Sequence, residues 1–264
     1  MQKWGVGFAA GATALALTAC QAMPQSGEHW QSLFDGKTLA GWTPKIRGFP
    51  LGENYNDTFR VKDGALVVSY DKYDRFAERY GHLFYQTPFK AYRLRLDYRF
   101  IGDTPIDTPA WAIANNGVMI FAQDPRTMAV DDSFPVSVEA QLLGPAPGQE
   151  RFNGNMCSPG TNVVMDGQLV TTHCINSKSR STPNGEWVHF EVEVSPSGVV
   201  THRINGADVF IYSNVQLDPE GRMADSKPLV EAAGGKLVLD GGYIALQSEG
   251  APIEFRNIEL LELN

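Results

Sequence analysis

Ala91-Tyr92-Arg93-Leu94-Arg95-Leu96-Asp97-Tyr98-Arg99-Phe100 is the stretch that decides the fold class. Tyr92, Leu94, Leu96, Tyr98 and Phe100 recur at every second position, with Arg93, Arg95, Asp97 and Arg99 between them. Side chains of a strand point alternately to its two faces, so this period sets an apolar row against a core and a charged row away from it. A helix would need its apolar residues three and four apart. Working outward, residues 186–194 repeat the pattern, with Val188, Phe190, Val192 and Val194 inward and His189, Glu191 and Glu193 outward. Further strands are expected over 59–69, 117–122, 136–143, 161–164, 169–173, 199–204, 208–212, 242–248 and 253–263. Asp63-Gly64, Asp166-Gly167, Ser197-Gly198, Asn205-Gly206 and Asp240-Gly241-Gly242 punctuate them. The first two carry the residue types that tight hairpin turns require. Only residues 72–79 suggest a helical turn or two. Many short strands without helical crossovers predict an all-β sandwich of two antiparallel sheets. Leu94, Leu96, Phe190, Val192, Leu246 and Phe255 are expected between the sheets. No repeat or linker interrupts residues 30–264, which are expected to form one domain.

Charge excludes some partners. The chain has 22 Lys+Arg against 30 Asp+Glu, a net −8. Nucleic-acid binding without sequence preference needs cations to displace counterions from phosphates, and an anionic membrane surface needs them too. Neither is expected here.

The N-terminus reads as an address. Lys3 is the only charge before Cys20, and an apolar run from Trp4 to Leu17, too short to span a bilayer comfortably, ends in small residues. Residues 1–19 are expected to be a secretory signal. Leu17-Thr18-Ala19-Cys20 resembles a bacterial lipobox, in which Cys20 becomes the lipidated first residue; the alternative is an ordinary signal that happens to precede a cysteine. Residues 20–29 would then be a lipidated tether. The expected location is the bacterial envelope, facing the periplasm, and Gln21 leaves the outer membrane open. Removing Cys20 from the count of three leaves Cys157 and Cys174, an even pair in an oxidising compartment. A disulfide is expected; metal binding is the alternative, without a CxxC spacing to support it.

Five pieces of the sequence, in order, carry a resemblance. They are Leu33-Phe34-Asp35-Gly36-Lys37-Thr38-Leu39-Ala40-Gly41-Trp42, Phe59-Arg60-Val61-Lys62-Asp63-Gly64-Ala65-Leu66, Asn116-Gly117-Val118-Met119-Ile120-Phe121, and Val138-Glu139-Ala140-Gln141-Leu142-Leu143. The fifth is Gly242-Tyr243-Ile244-Ala245-Leu246-Gln247 with Glu254-Phe255-Arg256-Asn257-Ile258. Together they resemble the bacterial 3-keto-disaccharide hydrolase family, also described as the 3-keto-glucoside 1,2-lyase/3-keto-2-hydroxy-glucal hydratase domain. The resemblance implies a concanavalin A-like jelly-roll sandwich acting on 3-keto-sugars. Where the family commonly has His-Gly after its Leu-Gln, this chain has Ser248-Glu249-Gly250.

Candidate site residues follow from strand parity and from this resemblance. Glu139 and Gln141 share one face of their strand, opposite Val138, Ala140 and Leu142, so they should face the open, concave side of a sheet. The resemblance puts Glu139 in the site; a solvated strand carboxylate is the plainer reading. His173 precedes Cys174, and His202 lies before the Asn205-Gly206 turn in a segment similar to the family's. Histidine suits proton transfer near neutral pH and metal ligation. A merely packed or surface histidine is the competing reading for both. His82 is a weaker candidate; His189 reads as solvated and His29 falls in the tether. Gln247 and Glu249 share a side of a late strand. Arg99 and Arg256 could reach the groove or only pair with neighbouring acids. Trp42, Trp111 and Trp187 could stack on sugars, with core packing as their default.

The chemistry that the resemblance implies is elimination. The hydrogen at C2 of a 3-keto sugar is acidified, a base removes it, and the enolate expels the C1 substituent; water then adds. This needs a base, an electrophile at the C3 oxygen and an acid at the leaving group. The expected assignment is Glu139, His173 and His202 as catalytic residues, with Gln141, Gln247, Glu249, Arg99 and Arg256 binding substrate. A divalent metal ion held by Glu139 and His202 would stabilise the enolate. A two-carboxylate glycosidase lacks its second acid at position 141, which is Gln. The competing classes are a non-catalytic carbohydrate-binding lipoprotein and a structural envelope protein.

Overall fold

A computed structural model describes residues 1, 2, 5 and 28–264. The expected signal, Cys20 and nearly all of the tether lie outside the described residues. Among those described, the strands form a ten-stranded sheet, a seven-stranded sheet and a two-stranded ribbon, all paired antiparallel. The chain adopts the all-β sandwich expected from the alternation, in the jelly-roll form that the resemblance implied. Tyr92–Phe100 alternates buried and half-buried residues along its whole length. It lies between Val188–Val194 and Ile253–Glu262 in the larger sheet. Leu94, Leu96, Phe190, Val192, Leu246 and Phe255 are all fully buried in the main core between the sheets.

The smaller sheet runs in the order Cys174–Ile175, Asn155–Cys157, Val138–Leu143, Asn115–Ala122, Tyr243–Ser248, Gly81–Tyr85, Trp42–Ile46. Gly81–Tyr85 and Asn115–Ala122 are buried at every position, because one face meets the other sheet and loops cover the other. Without a solvated face there is no polar–apolar alternation. The sequence therefore gave no sign of Gly81–Tyr85 or of Trp42–Ile46, the edge strand that tolerates Pro44.

Turn chemistry holds where it was expected. Asp63-Gly64, Asp166-Gly167 and Asn205-Gly206 have positive φ at both residues and connect paired strands. Residues 72–79 form no helix: Ala77 and Glu78 sit at φ 48° and 52°, outside right-handed helical space. The α-helix among the described residues, Lys227–Ala232, is too short for a helical period to show in the sequence.

Candidate active site

Cross-strand partners share a face, so register fixes what meets what. Val118 pairs with Ala140 and Leu246, and all three belong to the main core. Their neighbours therefore point to the far side of the smaller sheet. Glu139 stands opposite Met119 and Cys157, Gln141 opposite Gly117 and Asn155, and Gln247 opposite His82. Phe84, Met119, Ala122 and Ala245 form a second apolar cluster on this side. Loops roof it, and a cavity of 410 Å³ remains beneath them, lined by Glu139, Gln141, Asn115, Glu249, Arg151 and His173 together with apolar residues described below.

Two carboxyl groups lie at the floor. Glu139 is 6% exposed and Glu249 4%. Oε1 of Glu139 and Oε2 of Glu249 have no hydrogen-bond partner among the described residues, and neither has Oδ1 of Asn115. Burial disfavours the charged form and pushes Glu139 up to about 8. Burial raises Glu249 as well, reinforced by the charge of Glu139 and opposed by that of Arg151. Burial therefore favours the protonated form of both. Arg151 is fixed by backbone carbonyls, donating to Trp111 O at 3.0 Å and to Gly144 O at 3.3 Å, and also to Ile113 O.

His173 forms part of the wall. Cys157 and Cys174 are cross-strand partners joined by the expected disulfide, with Cα atoms 4.1 Å apart. The His173 carbonyl accepts from Ser158 N at 2.8 Å, and its Nδ1 has no partner among the described residues. Burial lowers its pKa, so the ring is neutral near pH 7 and able to accept a proton. His173, Cys157 and Cys174 bring their ligand atoms within 4.8 Å of one another, but the sulfurs are committed to the disulfide.

Several expectations need correction. His202 is not in the site. It sits at the inward parity of its strand with Val200 and Ile204, fully buried in the larger sheet. Its Nδ1 meets Gly154 O and its Nε2 meets Tyr212 Oη, each at 3.0 Å, and burial lowers its pKa to about 4. Glu139 faces the opposite side of the other sheet, so the two cannot share a metal ion. Arg99 and Arg256 are on the outer face of the larger sheet. Arg99 bonds Glu254 at 2.7 Å and Arg256 reaches Asp97 at 3.3 Å, while both stack on Trp187. Gln247 is on the correct face but fully buried beneath the cavity, its amide without partners among the described residues. His82 lies beside it in the same state, its Nε2 unpartnered and its pKa lowered by burial to about 3.

Of the residues expected in the site, the structure brings Glu139, Gln141, Glu249 and His173 to one cavity. Sequence reasoning missed Arg151, Asn115, Phe134 and Met223. Asn115 begins a strand whose far face is visible only once the roof is known; the other three arrive on loops, where no period exists to read. Trp111, weighed only as one aromatic among several, stands at the cavity mouth.

Comparison with known proteins agrees with the fold. Two structures of candidate glycosyl hydrolases from Parabacteroides distasonis ATCC 8503 superpose with TM-scores of 0.51 and 0.52 at 17% and 20% identity. The first covers 89% of this chain and 94% of its own, the second 89% and 100%. The VIP36 exoplasmic/lumenal domain in its Ca2+/Man3GlcNAc-bound form superposes at 0.51 with 11% identity, over 90% of this chain and 91% of that one. No curated protein sequence matches significantly. The sequence profile of the 3-keto-alpha-glucoside-1,2-lyase-like domain matches residues 29–261, nearly the whole of the sandwich just described. The chain belongs to the 3-keto-alpha-glucoside-1,2-lyase-like domain family.

Proposed function

We propose that this protein is a carbohydrate-active enzyme that cleaves 3-keto-glycosides by elimination across C1 and C2, with hydration completing a net hydrolysis. The observation that carries the reading is one cavity holding two buried carboxyls, whose protonated form burial favours, and a histidine that burial disposes to be neutral. These are the three roles that elimination needs. His173 accepts the proton from C2. One carboxyl donates a hydrogen bond to the C3 oxygen as the enolate forms, as a neutral acid can in an apolar site. The other gives its proton to the departing C1 oxygen, breaking that bond as the C1–C2 double bond forms. Addition of water then places hydroxyl on C1 and hydrogen on C2. Gln141, Asn115 and Arg151 are at hand to orient the remaining hydroxyls. By the lipobox-like Cys20 the same reading places the enzyme on a lipid anchor in the bacterial envelope.

A second reading draws on Glu249, which supplies the carboxyl that position 141 lacks for two-carboxyl glycoside hydrolysis. That mechanism needs one of the pair ionised, whereas burial opposes ionisation of both. The substrate decides between them. Incubation with a 3-keto-glucoside and the matching unoxidised glucoside should release aglycone from the first only. Release from both favours the two-carboxyl hydrolase. Binding without release from either favours a carbohydrate-binding module.

A further inference from the structure

The lining of the cavity changes character with depth. Asn115, Glu139 and Glu249 are buried at its floor, with Gln141, Arg151 and His173 half-buried around them. Toward solvent the lining is different. Trp111 is 50% exposed and Met223 58%, and both line the cavity. Half-buried Phe134 joins them, and the buried Leu143 and Pro159 continue the apolar wall inward. Trp111 is held in place rather than free: its ring stacks on Tyr80 at 6.0 Å and 15°, and its carbonyl accepts from Arg151 at 3.0 Å. Tyr80 in turn packs on Phe134 at 5.1 Å.

A hexose ring presents hydroxyls on every side and asks for about as many polar partners. The six polar side chains are enough for one such ring, with the groups proposed for the chemistry among them. At 410 Å³ the cavity falls within the ~300–1,000 Å³ of sites that enclose ligands larger than a single ring. What remains for the leaving group is the rim, where a second sugar would bury hydroxyls against Trp111, Met223 and Phe134 without partners. An apolar group there gains by leaving water.

We infer that the substrate enters sugar first and carries an apolar alcohol or phenol as its aglycone, seated on the Trp111–Met223 rim, rather than a second sugar. This inference rests on the 3-keto-glycoside reading above. To keep leaving-group acidity from deciding the result, the probes are 3-keto-glucosides of 2-phenylethanol and of ethylene glycol, in both anomers, beside a 3-keto-disaccharide. The expected kcat/KM for the phenylethyl compound is about tenfold or more above the hydroxyethyl one, the difference made by burying one phenyl ring. Trp111→Ala and Met223→Ser should each move that ratio toward unity, with thermal melting showing that the variants fold. Equal rates, or preference for the disaccharide, would overturn the inference and leave the enzyme reading standing. Absence of turnover on all three would overturn the enzyme reading. In that event calorimetric binding of the phenylethyl and hydroxyethyl compounds still reads the rim, and equal affinities would overturn the inference by themselves.

Discussion

Glu139 occupies the space that a side chain at position 117 would need: a Cβ built on Gly117 would stand 2.4 Å from both Cγ and Oε1 of the glutamate. Glycine on the neighbouring strand lets the acid lie flat across the sheet instead of standing off it. Gly117→Ala should therefore displace the carboxyl at a cost of about 1–3 kcal/mol, as overpacking does. The kcat should fall by about two orders of magnitude. A variant that melts lower but keeps full activity would separate the carboxyl's position from its function.

Burial of Glu139 sets a direction for pH. Between its ordinary value of 4.5 and about 8, the group is ionised in the unfolded chain and protonated in the folded one. The folded state then binds more protons, so stability is present at low pH and is lost as pH rises through that window. Urea unfolding at pH 5 and pH 8 should show the loss. Glu139→Gln should flatten it and be the more stable protein at pH 8, by on the order of 1–4 kcal/mol, while losing about 10²–10⁴ in kcat. Equal pH dependence in both proteins would count against the buried acid.

His173 and His202 should respond oppositely to mutation. Replacing His173 by Gln should cost about 10²–10⁴ in kcat and little stability, and the acid limb of kcat/KM in the wild type should lie below the ordinary histidine value, because burial lowers this pKa. His202→Leu should leave kcat within about twofold. It strands Gly154 O and Tyr212 Oη, at a cost of about 1–3 kcal/mol at neutral pH. The wild type should lose stability as pH falls from 6.5 toward about 4, where the unfolded histidine takes a proton that the folded one refuses, and this variant should lose less.

Reduction should loosen the wall before it unfolds the domain. The disulfide closes a loop between residues 17 apart in sequence and is worth about 3 kcal/mol. The double substitution Cys157→Ser, Cys174→Ser should lower the melting temperature and, by freeing His173, reduce kcat more than it raises KM. Unchanged kcat would detach the bridge from catalysis.

Chelation distinguishes acids from ligands at the floor. With Glu139 and Glu249 acting as proton donors, exhaustive dialysis against a chelator should leave turnover intact. Loss restored by a divalent cation would reassign their unpartnered oxygens, with that of Asn115, to holding the ion.

Parity explains most of what the sequence disclosed. Wherever one face of a strand is wet, as in Tyr92–Phe100, alternation gave both the strand and its inward residues. The facing of Glu139 and Gln141 came from the same rule. His202 was misplaced although the rule was available: Val200, His202 and Ile204 share a parity, and their apolar members mark the inward side. Arg99 and Arg256 were a different failure. Parity sends them outward, but it does not say which sheet's outer face carries the site. Arg151, Phe134 and Met223 sit on loops joined to the site only by the folded topology, and no local pattern announces them.

The last strands of the chain are not at the edges of the sandwich. Tyr243–Ser248 inserts between Asn115–Ala122 and Gly81–Tyr85, and Ile253–Glu262 between Tyr92–Phe100 and Ala65–Val68. Until they are made, each sheet exists as two pieces with no hydrogen bonds between them, and Glu249 has not yet been added to the floor. A ribosome that has reached residue 240 therefore holds a chain whose strands are nearly all synthesised and whose halves cannot close. Such long-range closure comes late and is slow. A stop codon just before Tyr243 would remove the keystone of both layers at once, and its product should be cleared by proteases rather than accumulate as a weaker enzyme.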